Sequence, residues 1–162
     1  MNNLNLKYFI RENDQYKEFK EYNSSFIGED GVYARQLCQY LIIGGNRYKL
    51  IRNEIIEGED VVILENEGKS TFFEDEKVNI FEDKNILEFR PYNHNKFDNM
   101  PLATYIWLSG QNEVIRYLLK NAVEIDSLGQ RNVHSFEINE DRKAYVIYFE
   151  PTDEDIMHFG LN

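Results

Sequence analysis

The three histidines have the strongest potential for catalysis or metal binding, and they lie in three different segments. No HxH, HxxxH or HExxH pattern brings two of His94, His134 and His158 together. The single cysteine, Cys38, lies in an apolar stretch typical of a buried strand, and one thiolate cannot complete a cysteine zinc site. We therefore expect no metal ion, no other cofactor and no intrachain disulfide.

Phosphate-binding and hydrolase motifs are also missing from the sequence. The stretch from Gly44 to Arg47 combines two glycines with a base, but its flanks favour a β-hairpin and no GxxxxGK[ST] pattern follows. No GxSxG pattern, which marks the nucleophile elbow of a hydrolase, occurs. The sequence therefore predicts no catalytic residue, and we expect a protein that is not an enzyme.

Four residues support an alternative hypothesis, a small-molecule or enzymatic site. His94 lies in a polar loop, where an exposed histidine is the ordinary interpretation and a general base is the functional one. Arg90 could hold an anion, and Tyr105 and Trp107 could enclose the apolar part of a ligand. Under this hypothesis the pocket lies between a sheet and a helical hairpin.

Acidic residues outnumber basic ones by 29 to 18, which gives a net charge of -11 and an isoelectric point near 4.7. Proteins that bind nucleic acids or anionic membranes draw much of their affinity from lysine and arginine. The charge balance therefore argues against direct binding to nucleic acid or to a membrane.

The acidity is local, because residues 54–90 carry 12 acids and only 4 bases. Acidic runs are usually solvated loops, but a clustered acidic surface steers a basic partner toward it. The candidate contacts are the acids of three turns: Glu57, Glu59, Asp60, Glu74, Asp75, Glu76, Glu82 and Asp83. We therefore predict a small inhibitor of the toxin-immunity or enzyme-inhibitor type, which neutralises a basic protein such as a toxin or a nucleic-acid enzyme.

A third hypothesis is a structural or assembly subunit that associates through an exposed strand edge. The sequence does not fix the oligomeric state. Met1 to Ile10 lacks the apolar core of a signal peptide, and no apolar stretch approaches the roughly 20 residues that cross a bilayer. We expect a cytoplasmic protein.

The elements that must position these residues are predicted to form one α+β domain over residues 1–162. We expect a strand at Leu6–Ile10, a short helix at Gln15–Tyr22 and then an antiparallel meander. The meander strands are Gln36–Ile43, Arg47–Ile56, Val61–Leu64, Lys77–Phe81 and Ile86–Arg90, with turns rich in glycine or acidic residues between them.

The period of the apolar residues changes at Pro101, which could begin a helix over Leu102–Leu108. A second helix, capped by Asn112, would place residues from Val114 to Val123 on one apolar face. The segment 101–126 resembles one ankyrin repeat, but no second copy occurs and stacks of such repeats generally need at least three. We therefore interpret it as a helical hairpin.

Val133–Ile138 and Ala144–Phe149 are apolar stretches on either side of a polar turn, and they predict a C-terminal β-hairpin. The expected fold is thus an antiparallel β-meander sheet packed against a helical hairpin, with this β-hairpin at the end.

Overall fold

A computed structural model describes residues 3–161, so that Met1, Asn2 and Asn162 of the predicted domain lie outside the described residues. The strands are β1 (Asn5–Glu12), β2 (Gln15–Asn23), β3 (Tyr40–Ile43), β4 (Asn46–Ile56), β5 (Glu59–Lys69), β6 (Asn85–Pro91), β7 (Thr104–Leu108), β8 (Ala122–Ile125), β9 (Gly129–Asn139) and β10 (Ala144–Phe149). The helices are α1 (Ser24–Ile27), α2 (Glu29–Gln36), α3 (Gln111–Leu118) and α4 (Asp153–Phe159).

The strands form a mixed sheet in the order β2-β1-β5-β4-β3-β9-β10-β6-β7, with β8 paired to β9. Three neighbouring pairs, β1–β5, β3–β9 and β6–β10, run parallel, and the others run antiparallel. The predicted antiparallel meander is therefore wrong. Parallel neighbours require long crossover connections, and those pairings join strands that are distant in sequence.

One arrangement of five strands occurs twice. In the first half (residues 5–69), β1 pairs antiparallel with β2 and parallel with β5, and β4 and β3 follow in the sheet. In the second half (residues 85–149), β6 pairs in the same way with β7 and β10, and β9 and β8 follow. The halves join where β3 pairs with β9.

The core residues of the two halves occupy corresponding positions. Tyr8 on β1 lies opposite Val62 on β5, and Phe89 on β6 lies opposite Ile147 on β10. All four are buried in one hydrophobic cluster, which also contains residues of α2 and α3. The two halves therefore share a core on the helix-bearing face of the sheet.

The predicted helical hairpin is absent from the described residues. Residues 104–108 form strand β7, α3 is a single helix of eight residues, and residues 122–125 form strand β8. Threonine, isoleucine and aromatic side chains in β7 favour an extended backbone, and its partner β6 supplies the hydrogen bonds. Pairing between distant segments thus outweighs the apolar run that resembled a helix.

Two other local predictions are wrong. Residues 15–22 belong to β2, although the spacing of Tyr16, Phe19 and Tyr22 is that of a helix; a register shift in the β1–β2 pairing accompanies this irregular spacing. Residues 77–81 form no strand, because they lie over the sheet instead of within it. The predicted C-terminal hairpin corresponds to β9 and β10, but these strands lie inside the sheet and α4 follows them.

Candidate functional site

The connecting segment (residues 70–84) links the halves and covers the face of the second-half sheet that bears no helix. It has no regular secondary structure. Phe73 of this segment packs on a small apolar cluster made by Met100, Val146 and Tyr148. The segment is thus held on the sheet by apolar contacts.

Buried charges attach the same segment to β6. Glu88 and Arg90 have no solvent exposure. Glu88 accepts hydrogen bonds from Arg142 at 2.6 and 2.8 Å, from Arg90 Nε at 3.0 Å and from the Lys77 backbone N–H at 2.9 Å. Arg90 Nη1 also donates to Asp75 Oδ1 at 2.8 Å. Because breaking such a pair leaves an uncompensated buried charge, these bonds fix the segment in place.

Two of the candidate acidic contacts belong to this network. Burial opposes ionisation of Asp75, but hydrogen bonds from the Leu102 backbone N–H and the Arg90 guanidinium outweigh it and lower the pKa of its carboxyl. Glu76 accepts a hydrogen bond from the Phe73 backbone N–H and lies 3.6 Å from Arg142 Nε. Both side chains thus have structural partners inside the protein.

Three aromatic side chains form an exposed cluster beside the network, which we call the aromatic patch: Phe81, Tyr105 and Trp107. The Trp107 ring meets Phe81 and Tyr105 edge-on, with centroids 5.6 and 6.4 Å apart. Trp107 is 43% exposed, Phe81 45% and Tyr105 37%. Tyr105 lies opposite Glu88 in the β6–β7 register, so the patch is on the face that carries the buried charges.

Charged side chains of both signs lie near the aromatic patch, since Lys77 Nζ is 5.0 Å from the centre of the Tyr105 ring and Lys84 Nζ is 5.2 Å from that of Phe81. Glu82 and Asp83 directly follow Phe81, and Glu74 lies earlier in the connecting segment. All three are exposed, and none has an ion-pair partner among residues 3–161. These acids are therefore available to a partner.

The remaining acidic candidates lie elsewhere. Glu59 pairs with Lys7 at 2.8 Å, Asp60 accepts a hydrogen bond from Gln36, and Glu57 is exposed in the turn between β4 and β5. Five strand spacings, about 24 Å at about 4.8 Å each, separate β5 from β6. The eight acids thus form two separate groups.

The four residues of the predicted pocket are not brought together. Arg90 is enclosed by its ion pairs and by the Phe73 ring, 4.5 Å away. His94 lies on an exposed loop, with Nε2 2.8 Å from a carboxylate oxygen of Glu150. Tyr105 and Trp107 face solvent on the side of the sheet away from the helices. Within the described part of the chain, these four side chains enclose no common cavity.

No pattern in the sequence indicated that two histidines meet. His134 stacks on Tyr92 with centroids 3.5 Å apart, and the His94 ring lies 5.6 Å from His134. A β-bulge in the β9–β10 pairing leaves His134 without a cross-strand partner, which re-aims its side chain. Burial is the main cause of a lowered His134 pKa, with Glu150 acting in the opposite direction.

This histidine cluster does not amount to a metal centre. Across residues 3–161, no group of three or more histidine, cysteine, aspartate or glutamate side chains is arranged to hold a metal ion. Cys38 is buried, and burial raises the pKa of its thiol, which keeps it protonated.

A cavity of about 540 Å³ lies on the helix-bearing side, where the halves meet. We call it the inter-half cavity. Its polar lining includes Tyr22, Arg35, Lys84, Gln111, Lys143 and Tyr145. Sequence reasoning missed it, because these residues come from both halves and from the segment between them.

Comparison with known protein families, with curated proteins and with solved structures finds no match to this chain. In the described residues, the helices are all too short or too polar to cross a membrane. The functional argument therefore depends on the geometry of the sites themselves.

Proposed function

We propose that the protein is a non-catalytic binding protein of the immunity or inhibitor type, whose aromatic patch docks on a basic region of another protein. The observation that carries this proposal is the position of Trp107, Tyr105 and Phe81, exposed together beside the unpaired acids Glu82 and Asp83. Exposed apolar patches with a polar rim are typical of protein interaction sites.

The residue types suit a binding surface. Tryptophan and tyrosine are over-represented among the residues that dominate binding energy, because they bury a large area with few rotatable bonds. The patch lies on β7, the terminal strand of the sheet, whose outer edge pairs with no other strand of residues 3–161. Such an edge can accept an extended segment of a partner through backbone hydrogen bonds.

Charge sets the class of partner. Glu82 and Asp83, which directly follow Phe81, favour a partner rich in lysine or arginine, and their attraction should accelerate association at low ionic strength. The buried network of Glu88 and Arg90 holds the connecting segment in one conformation before binding. Binding then needs little ordering of this surface, which favours affinity.

A cytoplasmic location is part of the same proposal. Cys38, the single cysteine, is free and buried, so the fold needs no oxidising compartment. An inhibitor that protects its own cell from a toxin or a nucleic-acid enzyme would act there.

The test begins with cross-linking in the native host, followed by purification of the cross-linked protein. Calorimetry with the two purified proteins then gives a dissociation constant at two salt concentrations. Trp107→Ala should weaken binding roughly 30-fold, as expected for a residue worth about 2 kcal/mol. Glu82→Lys combined with Asp83→Lys should weaken binding and reduce its salt dependence. Tyr16→Ala, an exposed aromatic on the opposite terminal strand, is the matched control.

The proposal fails if Trp107→Ala binds as tightly as Tyr16→Ala. It also fails if Glu57→Lys, in the other acidic group, weakens binding as much as Glu82→Lys does, since the effect would then be one of overall charge. Light scattering on the protein alone tests the assembly hypothesis: a concentration-dependent oligomer that Trp107→Ala dissolves would replace the inhibitor proposal.

A further inference from the structure

We infer that the inter-half cavity binds a small molecule that carries a carboxylate or phosphate group on a flat ring. The volume of about 540 Å³ lies within the range of ligand pockets, roughly 300 to 1,000 Å³. The cavity does not include Trp107 or Tyr105, but Phe81 and the adjacent Glu82 belong both to its lining and to the proposed docking surface.

Basic groups converge on this cavity from three elements. Arg35 of α2 donates from Nε to Glu140 at 2.9 Å and from Nη1 to the Gly31 carbonyl at 3.0 Å, and neither bond uses Nη2. Glu140 offsets the charge of Arg35. Among the described residues that line the cavity, Lys84 and Lys143 then carry two positive charges against one negative charge, that of Glu82. An anionic group is therefore the ligand feature that this wall favours.

A buried hydroxyl group also lacks a well-aligned partner. Tyr22 is 9% exposed, and its hydroxyl makes no well-aligned hydrogen bond to the residues described, although the Glu140 carboxylate and the Arg35 guanidinium lie near it. Its ring lies 4.7 Å from the Arg35 guanidinium, so the hydroxyl is held at the cavity wall beside the cation. A buried hydroxyl without a well-aligned acceptor is costly, and a ligand oxygen would supply a better-placed one.

The opposite wall comes from the second half and is already ordered. Tyr145 donates its hydroxyl hydrogen to Gln111 Oε1 at 2.7 Å, and Gln111 Nε2 donates to Asn85 Oδ1 at 2.9 Å. The rings of Phe26 and Phe81 supply apolar surface around this polar wall. A flat ring therefore suits the body of the ligand better than a second charged group does.

Lys143 reaches the cavity from a strained position. Its backbone φ is 54°, a left-handed conformation that is unfavourable for lysine and tolerated by asparagine or glycine. Lysine at this turn therefore costs folding stability, which is expected where a side chain serves binding. Stability and binding should respond in opposite directions to its replacement.

The experiment uses four probes with the purified full chain: benzoate, adenosine 5′-monophosphate, inorganic phosphate and benzyl alcohol. Benzyl alcohol matches benzoate in its ring but is uncharged. Thermal shift and calorimetry should show binding of benzoate or of the nucleotide, weaker binding of phosphate and none of benzyl alcohol. The comparison of benzoate with adenosine 5′-monophosphate distinguishes a carboxylate ligand from a phosphate ligand.

Two variants assign the binding to this cavity. Tyr22→Phe and Lys143→Asn should each fold with unchanged or higher thermal stability and weaken the bound probe roughly tenfold, as loss of a hydrogen bond to a charged group implies. Lys96→Asn, in an exposed loop outside the cavity, should bind like the wild type.

The inference is overturned if no probe binds or if benzyl alcohol binds as well as benzoate. It is also overturned if benzoate does not bind and inorganic phosphate binds as tightly as the nucleotide, because the ring then contributes nothing. It is also overturned if both variants bind like Lys96→Asn. Because no protein partner is present, these outcomes leave the test of the aromatic patch unaffected.

Discussion

The Phe81 ring lies edge-on to the Trp107 indole, with centroids 5.6 Å apart, and thereby joins the connecting segment to the outermost strand of the sheet. The contact brings together residues 26 positions apart in sequence. Each ring is partly covered by the other and remains nearly half exposed, so the indole fluorescence should respond to changes around it.

Removal of Phe81 should expose the indole without unfolding the protein. Trp107 is the single tryptophan, so its emission is unambiguous. In Phe81→Ala we expect a red-shifted emission maximum and stronger acrylamide quenching, because solvent replaces the ring contact. Phe72→Ala alters an exposed phenylalanine of the same segment, with no ring contact in the described structure, and should leave the spectrum unchanged. Identical spectra for the two variants would contradict the Phe81–Trp107 contact.

Glu88→Ala should be among the most destabilising substitutions in the protein. It leaves Arg90 and Arg142 buried without their shared carboxylate, and breaking a buried pair typically costs about 3 to 5 kcal/mol. Urea denaturation measures the loss. Glu74→Ala, an exposed glutamate without an ion pair, should change the free energy of unfolding by no more than about 0.5 kcal/mol. A small effect of Glu88→Ala would show that the network does not hold the connecting segment.

Local signals in the sequence predicted some elements correctly. Strand β1 and the β3–β4 hairpin follow from alternating apolar residues and from the glycines at 44 and 45, both of which have positive φ. The predicted strand Gln36–Ile43 is too long, because Gln36 ends α2 and β3 begins at Tyr40. The ion pair between Glu88 and Arg142 could not be predicted, because 54 residues separate its members and nothing local marks either as buried. Residue type makes Trp107 and Tyr105 functional candidates, but the apolar run around them predicts a helix where the structure has strand β7.

The duplicated topology left a faint trace in the sequence. Val32 and Leu41 correspond to Val114 and Val123, 82 positions later, and all four are buried, with the first of each pair in the middle of a helix and the second in the following strand. A valine or leucine at such spacing is too common to identify a repeat by itself. Only the matching pairings of the strands make the correspondence clear.

Glu137→Gln should stabilise the protein at neutral pH. Burial raises the pKa of the Glu137 carboxyl above its unfolded value, against the attraction of Arg47 and Arg142. The native state therefore holds its proton more tightly, and stability falls as the pH rises from the unfolded pKa through the folded one. Glutamine keeps an acceptor for the Tyr148 hydroxyl and carries no charge. Urea titrations should show a gain at pH 7 that shrinks toward pH 4; a gain independent of pH would contradict this assignment.

Asp155→Asn should have the opposite effect. Hydrogen bonds from Arg131, at 2.7 and 3.1 Å, are the main cause of the lowered pKa of its carboxyl, and the Thr152 cap adds to them. A lowered folded-state pKa contributes stability above the unfolded value near 3.9, and this stability is lost as the pH falls through the folded pKa. The variant should therefore be less stable than the wild type at pH 7 and approach it in acid. If the variant lost the same free energy of unfolding at pH 7 and at pH 2.5, the loss would come from packing and not from the charge of Asp155.

Leu6→Ala and Leu87→Ala test whether the two halves unfold together. Both leucines are fully buried at corresponding positions of β1 and β6, and each substitution should cost about 2 to 5 kcal/mol. Because one hydrophobic cluster spans both halves, damage to the first half should destabilise the second. Trp107 lies in the second half, whereas circular dichroism reports on the whole chain. In Leu6→Ala, the unfolding curves from Trp107 fluorescence and from circular dichroism should shift to the same lower midpoint. An unchanged midpoint in the Trp107 signal would show that the halves unfold independently.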